Sequence, residues 1–172
     1  DVRIVILGQD PYHDGSAIGL CFGNERYKMS PSLRNIYKEL QREYPGTHMF
    51  DHSLESWADQ GVLLLNTALT TERKTPGCHS SYWWEFTRHL ILNLSKQNPR
   101  IVWMLWGSHA QGYKKFIEES LEILECPHPS PFSAHRGFFG CDHFIIADAL
   151  IGETRWLDGV DEEEEETEPD HD

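Results

Sequence analysis

Residues 3–15 read RIVILGQDPYHDG, and the fold turns on how this stretch divides. Arg3–Leu7 holds four consecutive apolar residues after one Arg, without the alternation expected of a half-exposed strand. A short unbroken apolar run fits a strand buried on both faces, as in a parallel sheet covered on both sides. The run ends at Gly8, and polar residues follow. Three further runs behave alike: VLLL at 62–65 stops at Asn66, and IVWML at 101–105 leads into Trp106-Gly107-Ser108. A weaker one, LEILEC at 121–126, leads into a proline-rich loop. Between these runs, Ser32 reads as the N-cap of a helix over Leu33–Glu43. Helical spacing recurs over Tyr82–Lys96, His109–Leu121 and Asp142–Leu150. The alternation predicts an α/β fold: a central four-stranded, mainly parallel twisted sheet flanked by helices.

Composition agrees with one folded domain. The chain has 172 residues, 39% of them hydrophobic, with six Trp. No apolar run approaches the ~18 residues of a membrane span, and no signal peptide opens the sequence. The chain does not begin with Met, so an N-terminal part is expected to have been removed by processing or trimming. Cys21, Cys78, Cys126 and Cys141 are sparse and scattered, which reads as reduced thiols in an intracellular protein. The formal charge of −13 is concentrated in DEEEEETEPDHD at 161–172, which holds nine acids and no Lys or Arg. Without it, 19 acidic residues face 15 basic ones. Residues 1–158 are therefore expected to form the domain, and 159–172 an acidic disordered tail.

Each predicted strand is followed by a polar motif: GQDPYHDG, NTALT, WGSHAQ and CPHPSPFS. In open parallel sheets, ligands bind beyond the carboxyl ends of the strands. Neighbouring parallel strands would bring Asp10, Asn66, Ser108 and His128 to one crevice. Pro11 biases Asp10 toward an extended conformation, from which its carboxylate can project toward a water. Tyr12 and His13 offer an aromatic wall and a second polar group. The planar amide of Asn66 carries donors and an acceptor suited to the edge of a flat heterocycle. Each of these also has a plainer reading, as a turn or strand-end residue, and the spacing of Phe22 fits core as well as a stacking platform. In the loop after the fourth strand, three prolines surround His128 and bring a large aromatic, Phe132, to the tip. Cys126-x-His128 and Cys141-x-His143 are nominally four zinc ligands, although not at a standard finger spacing, and buried thiols explain the cysteines as well. A glycosidase-like or esterase-like pocket lacks both a Gly-x-Ser-x-Gly elbow and a clear carboxylate pair.

Taken together, GQDPYH, LLLNTALT, MLWGSHAQ and HPSPFSAHRGFFG closely resemble the family 1 uracil-DNA glycosylases, in the family's order and over roughly Val2–Asp158. The resemblance implies a three-layer α/β/α fold and a base-flipping hydrolase that excises uracil from single- or double-stranded DNA. At matching positions, Asp10 would activate the water and His128 would stabilise the leaving uracil anion. Gln9, Tyr12, Phe22 and Asn66 would form the uracil pocket: Asn66 reads O4 and N3–H, Tyr12 excludes a 5-methyl group, and Phe22 stacks. His13, Pro31, Ser32, Gly107, Ser108, Ser130, Ser133 and Arg136 would engage DNA, with Phe132 inserted into the minor groove. The family needs no metal or organic cofactor and acts as a monomer. It is found in the nucleus or mitochondrion of eukaryotes and in the bacterial cytoplasm.

The sequence also departs from the family pattern. The family's N-terminal helices before the first strand have no counterpart, which would leave one sheet face bare. The loop after His13 is short, the proline-rich loop is reduced to KMSPS, Trp83 replaces a Gly, and Phe132 stands where Leu is usual. A non-catalytic adaptor on the same fold is the alternative reading.

Overall fold

The computed structural model describes residues 1–9, 11–12, 14, 16–24, 29–46 and 48–158. Asp10, His13 and the acidic tail therefore lie outside the described residues. The elements run β1 (Ile4–Gly8), α1 (Pro31–Glu43), α2 (Glu55–Ala58), β2 (Val62–Asn66), α3 (Ser80–Gln97) and β3 (Val102–Trp106). They continue with α4 (Gly107–Gln111), β4 (Glu122–Cys126) and α5 (His143–Ile151). Short 3₁₀ turns occupy Lys114–Phe116 and Ala134–Arg136.

The four strands form one sheet in the order β2-β1-β3-β4, and every pairing is parallel. β1 and β3 are buried at all five positions, as their unbroken apolar runs require. Alternate residues feed two cores. Ile4, Ile6, Val62, Leu64, Val102 and Met104 pack with Leu33, Ile36 and Leu40 of α1, Trp57 of α2 and Phe144 of α5. On the other face, Val5, Leu7, Trp103 and Leu105 meet Ile91 of α3, Ala110 of α4 and Tyr113. Each fully buried aliphatic side chain contributes roughly 1.5–3 kcal/mol relative to exposure. The layering is α/β/α, and the two central strands have neither face bare, because α3 and α4 cover the second one. At the edge strands that cover is partial, with Leu63 and Leu65 of β2 and Ile123 of β4 half-buried.

Three local expectations need correction. The N-cap of α1 is Ser30, whose hydroxyl accepts from the Leu33 N–H at 3.2 Å; Pro31 and Ser32 are already helical. Pro31 thus takes the first helical position, where a missing N–H costs nothing. The helix expected over His109–Leu121 is only the short α4 plus a 3₁₀ turn. Tyr113 and Phe116 turn in to pack on Trp84 of α3, with ring centroids 4.9 and 5.4 Å away, and the chain tightens there. The one-turn helix α2 was not anticipated; it places Trp57 in the core, where its indole N–H donates to the Trp156 carbonyl at 2.9 Å. Among the described helices, none is long and apolar enough to cross a membrane.

From β1 the chain crosses to β2 on one side, whereas β3 continues to β4 on the other. The reversal between β1 and β3 opens a crevice at the carboxyl ends of these strands.

Candidate active site

The site begins where β1 and β2 end side by side. Gly8 and Asn66 are register partners. Beyond them the ladder is prolonged: Thr67 N donates to the Gly8 carbonyl at 2.9 Å, and Ala68 N to the Gln9 carbonyl at 2.8 Å. The Thr67 hydroxyl adds a second bond to the Gln9 carbonyl at 2.8 Å. The backbone entering position 10 is thereby held from β2. Asn66 is 6% exposed, yet its amide makes no hydrogen bond to any described residue. The amide lines the cavity, so its donors and acceptor are open to a partner from outside.

His128 arrives from the loop after β4. That loop is anchored at both layers: Asn35 of α1 donates to the Pro129 carbonyl at 2.8 Å, and Gly107 lies beneath. Gly107 has φ +89°, and a Cβ there would stand 2.9 Å from the His128 Cβ, so the close approach requires glycine. The loop also closes on itself. The Ser133 hydroxyl donates to the His128 carbonyl at 2.8 Å, and Ser130 N donates to the His128 Nδ1 at 2.9 Å. With Nδ1 accepting, a neutral ring carries its proton on Nε2, which becomes a donor. Burial, and secondarily the nearby His109, lowers the His128 pKa below its ordinary value, which keeps the ring neutral at pH 7.

Phe22 lies against this histidine, ring centroids 5.6 Å apart, and against Trp106 at 5.7 Å. Its φ is +64°, a left-handed conformation that costs a non-glycine residue about 1–3 kcal/mol. Tyr12 holds it there: the phenol donates to the Phe22 carbonyl at 2.6 Å and shares a 2.8 Å bond with the Ser30 hydroxyl. Burial raises the Tyr12 pKa to about 12, so the donor stays protonated.

Gly8, Gln9, Tyr12, Phe22, Ser32, Asn66 and His128 together line a cavity of about 160 Å³. That is below the ~300–1,000 Å³ typical of drug-sized pockets, and suits a single ring. Every expected pocket residue among the described ones is therefore brought to one place. Of the residues expected to contact DNA, Ser32 lines the cavity itself. Ser108 and Arg136 are exposed, as is Pro31 at the start of α1, and Phe132 is 86% exposed at the loop tip. Ser130 accepts from Phe132 N at 3.1 Å, which shapes that tip. Ser133 has both donors committed within the loop, its hydroxyl to His128 and its N–H to the Ser130 carbonyl at 3.0 Å.

The two C-x-H pairs separate in space. His128 turns to the cavity, while Cys126, Cys141 and His143 gather with ligand atoms within 4.8 Å of one another. Nδ1 of His143 accepts from the Trp106 indole at 2.9 Å, so the ring is already engaged. Sequence reasoning missed Gly8, Thr67, Ser30, Asn35 and Trp106 as supports of the site. Only Ser30 had a readable signal, as Ser before Pro at a helix start.

An all-parallel α/β sheet with a ring-sized polar cavity at its topological switch point defines the class of protein. More particularly, the chain belongs to the uracil DNA glycosylase superfamily, whose family model matches residues 1–149. It is 55% identical over 170 residues to the uracil-DNA glycosylase of Actinobacillus succinogenes, covering 92% of this chain and 77% of that protein. The Escherichia coli K12 uracil-DNA glycosylase is 49% identical over 162 residues, covering 90% and 71% of the two chains. The crystal structure of mimivirus uracil-DNA glycosylase superposes with a TM-score of 0.84 at 26% identity, covering 92% of this chain and 68% of that one.

Proposed function

We propose that the protein is a DNA repair glycosylase that hydrolyses the N-glycosidic bond of deoxyuridine, taking the flipped uracil into the cavity and leaving an abasic site. The observation that carries this reading is the Asn66 amide, open to one ring-sized cavity that it shares with the Nε2 donor of His128. In uracil, O4 accepts and N3–H donates, and one planar amide pairs with both; cytosine presents the reverse pattern. Phe22 stacks on the ring. Tyr12, whose hydroxyl is tied to the Phe22 carbonyl, presents its ring edge against a substituent at C5.

Hydrolysis requires a water oxygen to bond to C1′ as the bond from C1′ to uracil N1 breaks. The bonding pair leaves on the base and spreads to O2, where His128 Nε2–H stabilises it. A neutral donor is effective here because it meets charge that develops only in the transition state. The water's proton passes to Asp10, a role supported by the family resemblance and by its position next to the pinned Gln9 backbone. Water is the nucleophile and no redox step occurs, so the proposed reaction needs no cofactor. The catalytic unit spans residues 1–158 and acts as a monomer, as the family resemblance implies. Pro31, Ser32, Gly107, Ser108, Ser130 and Arg136 engage the DNA backbone around the mouth, with Phe132 inserted where the flipped nucleotide leaves a gap.

Incubation with an oligonucleotide holding one uracil, followed by alkali, tests the reading. Strand cleavage is expected, abolished in Asp10→Asn and reduced roughly 10²–10³-fold in His128→Leu. Absence of cleavage at high protein concentration would overturn it in favour of a non-catalytic binding protein.

A further inference from the structure

Beside the cavity lies a second groove of about 330 Å³, with no carboxylate in its lining. Pro31, Arg34 and Lys38 of α1 form one wall, and Pro131, His135 and Phe139 of the loop after β4 form the other. The loop thus presents His128 to the cavity and Pro131 and His135 to the groove, with Phe132 exposed between them. Arg34 and Lys38 are one helical turn apart, both exposed, and neither pairs with an acid among the described residues. Among the described residues, Arg42, Arg88, Lys96, Lys114 and Arg155 are matched to carboxylates, whereas Arg34 and Lys38, like Arg73, Lys74, Arg100, Lys115 and Arg136, are not. What sets Arg34 and Lys38 apart is that they share one acid-free groove. Asn35, between the two cations in sequence, fixes the groove by its buried bond to the Pro129 carbonyl.

We propose that this groove is a backbone-phosphate site for DNA continuing past Phe132, with Arg34 and Lys38 as its cations. The proposal rests on the glycosylase reading above and extends the binding surface beyond the residues that resemblance assigns. Its charge suits a polyanion, its rim is shared with the inserted loop, and its lack of acids removes the repulsion that most of this surface would offer. Cations that contact phosphates release counterions, so their loss is read in the salt dependence of affinity.

The test uses the full chain and a duplex of about 25 base pairs, titrated between 50 and 300 mM salt. Arg34→Gln/Lys38→Gln is compared with Lys96→Gln/Arg100→Gln, which removes the same charge at the opposite end of the sheet. The groove variant is expected to flatten the log–log salt slope by about 2, and to bind roughly ten- to hundredfold more weakly at 0.1 M salt. Its single-turnover cleavage rate at saturating protein should match the parent, as should its melting temperature. Equal slopes in the two variants would overturn the proposal, since only net charge would then matter. If the parent releases no uracil, the activity reading fails, but the slope comparison still decides the groove.

Discussion

A Cβ built on Gly8 would stand 2.5 Å from Oδ1 of Asn66 and 2.7 Å from the Cβ of Cys21. The last residue of β1 is therefore the floor on which the pairing amide of β2 rests, and it has no room for a methyl group.

Gly8→Ala should consequently displace the Asn66 amide, or the backbone beneath it. Overpacking of this kind costs about 1–3 kcal/mol, and misplacing a recognition group by about 1 Å can lower turnover ~10²-fold. Single-turnover uracil release and thermal unfolding measure the two effects. A variant with parental activity would show that Asn66 is not held from below.

The His128 pKa, lowered by burial and by His109, predicts a definite pH behaviour. The unfolded chain protonates this ring near pH 6.5, while the folded protein does so only at lower pH. The stability gained from the neutral ring is thus present above pH ~6.5 and falls as pH decreases toward the folded value. Nuclear magnetic resonance titration of the ring should give a midpoint below 6.5, with an Nε2–H tautomer above it. A midpoint at or above 6.5 would contradict the neutral-donor geometry.

Phe132 projects from a loop stiffened by three prolines and contributes little to the core. Phe132→Ala should change stability by no more than about 0.5 kcal/mol, as is usual for exposed positions. Excision from duplex DNA should drop well below excision from single strands, since only the duplex has a gap to fill. Phe132→Leu should retain activity on both. Equal losses of Phe132→Ala on the two substrates would exclude insertion.

Below this loop, Glu39 and Glu43 of α1 clamp the start of α5. Glu39 accepts from Arg42 and from Gly140 N, each at 2.8 Å, while Glu43 accepts from Ile145 N at 2.9 Å. Burial and then the Glu39 carboxyl raise the pKa of Glu43, so it keeps its proton at neutral pH. A carboxyl raised on folding contributes stability that is complete at low pH and lost as pH rises through its folded value. Glu43→Gln, which is permanently neutral, should remove that dependence. Its melting temperature should rise relative to the parent by roughly 2–4 °C per kcal/mol gained at alkaline pH. A parallel shift at pH 5 and pH 9 would refute the protonated state.

The strands were legible because β1 and β3 carry unbroken apolar runs, which only a doubly covered parallel sheet accommodates. Each observed strand starts within one residue of its expected place. The helix over His109–Leu121 was misread because aromatic packing of Tyr113 and Phe116 on α3 outweighs local periodicity. Ser32 was read as the cap, two residues late, because either Ser can cap; Pro31 at the first helical position selects Ser30.

The opening stretch, RIVILGQDPYHDG, illustrates the division. By itself the sequence determined the parallel α/β class, the positions of the strands and the residues of the polar motifs, because apolar periodicity and chain punctuation are local properties. It also determined the stiffness of the loop bearing His128, since proline fixes φ wherever it stands. Tertiary structure alone decided the strand order and hence the crevice between β1 and β3. It decided the seat of Asn66 against Gly8, the Nε2 proton of His128 and the unpaired cations beside Phe132. Each depends on atoms brought together from distant parts of the chain, through packing and hydrogen bonds that no single segment encodes.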